Sequence, residues 1–158
     1  MSGLRIAYSF LSIAMLFVLW GCSRGEPRPI NYGSDGCHYC KMTIVDKIHG
    51  AELITGKGKI YTFDALECLI HYLKESELKD GDQYLTNVYE APESLVGVEH
   101  SVFLISENMP SPMGANLTAF QSAEKAKELQ EKKQGTLFSW EELLEKQLHP
   151  VGPEPKSY

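Results

Sequence analysis

The chain has little positive charge and none of the motifs typical of the common enzyme classes. It carries 15 Lys and Arg against 21 Asp and Glu, which gives a net charge of −6. Nucleic-acid binding requires a basic surface, so we expect no nucleic-acid partner. The sequence contains no G-x-S-x-G, no H-E-x-x-H and no glycine-rich phosphate loop. These absences predict a protein that is not an enzyme.

The sequence also lacks a hydrophobic run long enough to span a membrane comfortably. The N-terminal apolar run, residues 6–20, is about 15 residues long. It follows Arg5 and ends at Gly21 and Cys22, a pattern typical of a bacterial lipoprotein signal. We predict a signal peptide over residues 1–21 and lipidation of Cys22. Trp20 is unusual so close to the cleavage point, which leaves a plain signal peptide or an uncleaved anchor as alternatives. Each predicts an extracytoplasmic domain, on the periplasmic or cell-surface side.

Cysteine is scarce, and its count is informative. The chain has 4 cysteines, and without Cys22 the remaining ones are Cys37, Cys40 and Cys68. An odd number excludes a complete set of intramolecular disulfides. In an oxidising compartment, at least one thiol must therefore be buried, bound to metal, paired with another chain or left free for a reason.

The rest of the sequence predicts one α+β domain between two irregular segments. Residues 22–35 contain prolines and glycines and are predicted to form a flexible tether. Residues 150–158 are Pro-rich and are predicted to be disordered. The domain, residues 36–149, divides into halves of about 36–99 and 100–149 with the same order of signals. We predict two ββαβ units with mixed or antiparallel sheets.

The individual elements follow from β-branched and aromatic runs and from capping signals. In the first half, Asp64 is predicted to cap a helix, with Glu67 completing a capping box. The predicted strands are 42–55, 57–63, 83–89, 100–106, 116–120 and 136–140, and the predicted helices are 64–78, 121–134 and 140–146.

Sulfur ligands are concentrated in two places. If residues 40–42 are already extended, Cys40 and Met42 lie on the same face of the strand. A thiolate beside a thioether is a ligand pair that selects Cu(I). Met109 and Met113 lie in a loop with prolines and a glycine, which can present a thioether at a fixed place, and Met113 is the better candidate. The alternative for Met42 is a packed residue of the first strand.

Four segments together resemble the NosL family of copper-chaperone lipoproteins. They are "CHYCKMTI", "KGKIYTFDALEC", "SPMGANLTAF" and "GTLFSWEEL", between Gly36 and Leu143. The resemblance implies a pair of ββαβ modules with Cu(I) as cargo, held by Cys40, Met42 and Met113. It also implies delivery to apo nitrous oxide reductase outside the cytoplasm, with docking on an ABC-type membrane complex. Lys41 departs from the pattern, because many members have Gly there.

Cys37 and His38 are further candidate ligands, since imidazole and thiolate both bind Cu(I). Cys37 has an alternative role, which is a reversible disulfide with Cys40. Such a bond would block metal loading until it is reduced.

Two other functions compete with copper transport. Cys37, Cys40, Cys68 and His71 have the residue types of a structural zinc site, although the spacer, residues 41–67, exceeds the usual roughly 15–20 residues. The helix pattern around Cys68 allows it either to pack inside or to face outward. The second alternative is a thiol–disulfide oxidoreductase built on the C-x-x-C motif. Such motifs normally open a helix, whereas a strand-like segment follows here.

Overall fold

The structure is a computed structural model, and it describes residues 25–76 and 79–148. The predicted signal peptide, the lipidation site Cys22 and the predicted tail lie outside the described residues. Within the described ranges, no helix combines the length and apolar character that crossing a membrane would require.

The first unit is a four-stranded antiparallel sheet with one helix. Its elements are β1 (Ala51–Ile54), β2 (Ile60–Phe63), α1 (Leu66–Glu75), β3 (Gln83–Val88) and β4 (Ala91–Gly97). The strand order is β2-β1-β3-β4, so the fully buried strand β1 lies inside the sheet. A short 3-10 helix, Val98–His100, leads to the second unit.

The second unit repeats this arrangement with a smaller sheet. Its elements are β5 (Val102–Ile105), β6 (Leu117–Phe120), α2 (Ala123–Lys133) and β7 (Thr136–Phe138), and α3 (Trp140–Leu148) follows. The order β6-β5-β7 is antiparallel and places the first strand at the centre, as in the first unit. The predicted α+β fold with two ββαβ units is confirmed. Strand β4 is an addition that the sequence did not reveal, because its Pro and exposed polar residues obscure any alternation.

Two local predictions in the first unit are wrong. The first strand begins only at Ala51, because the chain turns at residues 47–49: Asp46 Oδ1 accepts the N–H groups of Ile48 and His49 at 2.8 and 3.0 Å. Such local side-chain bonds compete with a strand ladder. Helix α1 begins at Leu66 and has no side-chain cap. Asp64 is buried instead of capping the helix.

The described part of the predicted tether belongs to the domain. Ile30 is only 5% exposed and is part of the core. Gly33 donates its N–H to the Ile44 carbonyl at 2.7 Å, and Arg28 Nη1 pairs with Asp35 Oδ2 at 2.9 Å. The boundary predicted at residue 36 is therefore too late, because a few apolar and turn residues anchor a segment whose overall composition is that of a linker.

One hydrophobic core joins the two units. Phe63 and Leu69 of the first unit share a cluster of buried residues with Phe103, Trp140 and Leu143 of the second. Since α1 contributes to this core from its first turn onward, the position of α1 is fixed by both units.

A buried polar contact also crosses between the units. The imidazole of His49, before β1, has Nδ1 2.9 Å from Asp46 Oδ1 and Nε2 3.3 Å from Thr118 Oγ1 on β6. A buried imidazole with a partner on each nitrogen fixes its neighbours in one arrangement, because leaving either nitrogen without a partner would be costly.

Candidate metal centre

Two of the cysteines lie in a tight loop before β1, residues 36–43, which we call the thiol loop. Cys37 donates its N–H to the Met42 carbonyl at 2.8 Å, and Lys41 donates its N–H to the Cys37 carbonyl at 3.1 Å. A bridge between Gly36 and Thr43 closes the ends of the loop. Lys41 has a φ of 66°, in the left-handed region. These bonds fold the chain back on itself and bring the side chains of Cys37 and Cys40 together.

The third cysteine reaches the same point from the first turn of α1. The sulfur atoms of Cys37, Cys40 and Cys68 all lie within 4.8 Å of one another, and we call this group the thiol triangle. Cys37 and Cys68 are buried, Cys40 is half-buried, and all three are free thiols. Among the residues that the structure describes, no other group of three or more His, Cys, Asp or Glu side chains is placed to hold a metal ion.

The surroundings of the three cysteines shift their pKa values in different directions. The Cys68 thiol donates to the Cys37 sulfur, as do the backbone N–H groups of Asp64 and Cys40, and this lowers the pKa of Cys37 to about 4. The same bond raises the pKa of Cys68, and burial raises the pKa of Cys40. These contacts therefore favour the thiolate form at Cys37 and the thiol form at Cys40 and Cys68.

Two imidazoles lie near the triangle but belong to aromatic clusters. His38 packs against the rings of Tyr61 and Tyr72, with centroids 4.3 and 5.4 Å away. His71 stacks on Tyr39 at 5.6 Å. Neither joins the cluster of metal-ligating atoms. The ligand role of His38, and that of His71 in a zinc site, stay predictions.

The surroundings of both imidazoles favour the neutral form. Burial lowers the pKa of His38, and the charges of Lys41 and Lys59 lower it further. Burial, followed by the charge of Lys74, lowers the pKa of His71. A neutral imidazole has a free lone pair, so each remains chemically able to accept a metal.

The methionines predicted as ligands have different surroundings. Met42 follows the turn at Lys41 and does not lie on a strand. The prediction that Cys40 and Met42 lie on the same face of one strand is therefore wrong. Met42 is 49% exposed. Met113 is half-buried and packs against the core cluster that contains Cys37 and Cys68, whereas Met109 packs against a separate cluster around Phe120. The ligand roles of Met42 and Met113 stay predictions.

A neighbouring cavity does not contain the thiols. It has a volume of about 650 Å³ and lies where the β1–β2 turn meets residues 79–82. Tyr61 connects it to the aromatic cluster around His38, but no cysteine lines it. The three thiols of the triangle therefore lie outside this surface cavity.

Comparison with known proteins agrees with this architecture. The sequence model of the NosL family matches residues 30–148, which is most of the chain and begins at the buried Ile30. The chain belongs to the NosL family. This confirms the resemblance seen in the sequence, and the matched range agrees with a domain that starts before residue 36.

A solved NosL structure has the same fold. The crystal structure of the copper chaperone NosL from Shewanella denitrificans matches with a TM-score of 0.66 and 18% identity, over 76% of this chain and 96% of that chain. At this identity the match establishes the fold alone. No curated protein sequence matches this NosL chain.

Cys68 is the site residue whose role the sequence could not settle. Its helical pattern allowed a packed thiol or an outward ligand, and the structure shows a buried thiol that also completes the triangle. Two features of the sequence pointed to Cys68 as a ligand: the odd number of cysteines and its place in the first turn of a predicted helix. No local pattern reports that the thiol loop lies against the first turn of α1.

Proposed function

We propose that this protein is a carrier of Cu(I), rather than an enzyme, and that it holds the ion with the three sulfurs of the thiol triangle. The observation that supports this is the convergence of Cys37, Cys40 and Cys68 within 4.8 Å. Sulfur ligands favour Cu(I) over harder ions. The solved relative with the same fold is described as a copper chaperone.

The protonation of the triangle suits capture of a monovalent soft cation. Thiolates are the metal-binding form of cysteine, and the low pKa of Cys37 supplies one at neutral pH. Cu(I) binding would release the protons of Cys40 and Cys68. The buried Cys37 and Cys68 would form the base of the site, and the half-buried Cys40 would form its open edge.

Release would occur at that open edge. An acceptor's ligand can approach at the half-buried Cys40, two residues before the exposed Met42, and enter the copper shell before Cys40 leaves it. Met42 is proposed to hold the ion briefly during transfer, since a thioether binds and leaves without losing or gaining a proton. Met113, packed on the same core, is proposed as a further ligand from the second unit.

The acceptor and location are proposed from the family resemblance and the N-terminal sequence. We propose an extracytoplasmic protein, anchored through lipidated Cys22, that supplies copper to apo nitrous oxide reductase together with an ABC-type membrane complex. The acidic net charge of −6 supports a protein partner over nucleic acid.

The decisive experiment is an anaerobic Cu(I) titration against a chromogenic chelator, with Zn(II) in parallel. The reduced protein, carrying Cys22→Ser so that only the triangle offers thiols, should bind one Cu(I) tightly in the presence of excess zinc. Cys37→Ser, Cys40→Ser and Cys68→Ser should each weaken binding by about 100-fold or more, because each removes one of three ligands. Tight zinc binding that stabilises the fold, with weak Cu(I) binding, would instead establish the structural zinc site.

A further inference from the structure

The loop that carries Met113 is fastened to helix α1 beside the thiol triangle. Ser111, Pro112, Met113 and Gly114 form a turn, which we call the methionine turn, closed by the Gly114 N–H donating to the Ser111 carbonyl at 3.0 Å. Pro112 fixes one backbone angle, and Gly114 has a φ of 77° that a side chain would strain. Met113 is therefore held in a stiff turn whose position depends on Ser111.

Ser111 connects three parts of the chain. Its hydroxyl donates to Glu67 Oε1 and accepts the Asn116 N–H at 2.9 Å. Glu67 directly precedes Cys68, so one side chain joins the helix of the triangle to the turn of Met113. Ser111 and Glu67 are 9% and 4% exposed, and water cannot easily replace their contact.

Burial of this carboxyl group is costly and calls for a reason beyond packing. Glu67 Oε2 has no hydrogen-bond partner within the described part of the chain. A leucine of similar size would bury apolar surface without that cost. What the carboxyl group adds is a directional bond that fixes the methionine turn relative to α1.

We infer that Glu67 and Ser111 are positioning residues, which hold the Met113 thioether against the copper-loaded thiol triangle. This inference rests on the proposed function, since Met113 would be the ligand that the second unit adds to the same Cu(I) site. Outer partners that orient a metal ligand typically contribute 10- to 100-fold in metal affinity. Loss of the Ser111 hydroxyl should therefore weaken Cu(I) binding although Ser111 does not touch the metal.

The test uses the reduced full chain with Cys22→Ser in detergent and measures Cu(I) affinity by chelator competition. Ser111→Ala and Met113→Leu should each weaken binding by about 10-fold or more, and the double variant should be no weaker than either single one, because both remove the same contribution. Glu67→Leu removes the acceptor of the Ser111 hydroxyl and should weaken binding as Ser111→Ala does, whereas Glu67→Gln keeps an accepting oxygen and should restore most of the affinity.

Ser106→Ala is the matched control at the other end of the same loop. Ser106 is also buried, and its hydroxyl donates to the Lys133 carbonyl at 2.8 Å, which fastens the loop to α2 and not to α1. This variant should lose stability but keep its Cu(I) affinity. A loss of affinity as large as that of Ser111→Ala would show that general loosening, and not positioning, explains the effect.

A spectroscopic readout makes the test independent of stability. With methyl-labelled methionine, the Met113 resonance, assigned through Met113→Leu, should shift on addition of Cu(I) in the parent protein and in Ser106→Ala, but not in Ser111→Ala. No shift in the parent protein, or an unchanged affinity in either Met113→Leu or Ser111→Ala, would overturn the inference. The carrier function would fail separately, through unchanged Cu(I) binding in the three cysteine variants.

Discussion

At the scale of single residues, the chemistry of the triangle depends on one hydrogen bond between thiols. Cys68→Ala removes the donor to Cys37 and should raise the pKa of Cys37 from about 4 towards its ordinary value of 9. The thiolate absorbance near 240 nm, followed against pH in the Cys22→Ser protein, measures this. Cys68→Ser keeps a hydroxyl donor and should retain part of the shift. An unchanged titration curve in Cys68→Ala would contradict the assignment.

The same shift has a consequence for the pH dependence of stability. The folded-state pKa of Cys37 is below the unfolded value of 9, so ionisation of Cys37 stabilises the folded state. This contribution to the free energy of unfolding is fully present above pH 9 and is lost as the pH falls through about 4. The difference in free energy of unfolding between the metal-free parent and Cys68→Ala should therefore shrink on acidification. Chemical denaturation at several pH values measures it, and a difference that grows towards low pH would contradict the sign.

Lys41 provides a second test at this scale. Its φ of 66° costs a residue with a side chain about 1–2 kcal/mol, and Gly avoids that cost. Lys41→Gly should raise the free energy of unfolding by about 0.5–1 kcal/mol, after the larger backbone entropy of Gly is subtracted. Lys41→Ala removes the amine but keeps the strain, and it should show no gain. Equal effects in the two variants would mean that backbone conformation is not the cause.

Single residues also show what a sequence can and cannot predict. The presence of soft ligands in the thiol loop and the resemblance to the NosL family were both visible, because they depend on adjacent residues. The place of Cys68 and the role of Glu67 were not. Glu67 matches a capping box by spacing, yet its carboxyl group bonds Ser111 of the other unit. Contacts between residues far apart in the sequence produce no hydrophobic periodicity, so a sequence pattern does not predict them.

At the scale of elements, a glycine constrains the connection from α2 to β7 sterically. Gly135 has a φ of 121°, and a Cβ there would lie 2.2 Å from the Ile105 carbonyl oxygen. Gly135→Ala should lower the free energy of unfolding by about 2–4 kcal/mol, from backbone strain and overlap together. Gly36→Ala is the control, because a Cβ at Gly36 meets no atom within 4 Å, and its change should stay within about 0.5 kcal/mol. Denaturant unfolding compares the two, and equal losses would refute the steric argument.

The elements were predictable where the pattern was regular. Most strands and all three helices were expected near their observed places, because alternation and helical spacing report burial directly. The failures have local causes. The turn made by Asp46 replaces the start of a strand, and strand β4 lacks the alternation of a half-buried strand.

At the scale of the whole molecule, the shared core predicts that the two units unfold together. Trp140 of the second unit lies 6.2 Å from the ring of Tyr84 in the first and 5.9 Å from Phe103 in its own. Trp140 fluorescence and far-ultraviolet circular dichroism should therefore report the same midpoint in denaturant, in a single transition. Two separated transitions would show that the units are independent domains, contrary to the common core.

The origin of the three sulfurs has a consequence for how such a protein is recognised. Cys37 and Cys40 belong to an irregular loop, and Cys68 belongs to a helix that both units hold in place. A bound ion would cross-link the thiol loop to α1 and close the chain between Cys40 and Cys68 into a ring. Without the ion, only packing and hydrogen bonds hold the thiol loop against the helix. The outer surface of the loop, with Met42 at its edge, would then differ in stiffness between the loaded and empty forms. A recipient that binds this surface would then distinguish the copper-loaded protein from the empty one by the stiffness of the loop, before it contacts the ion.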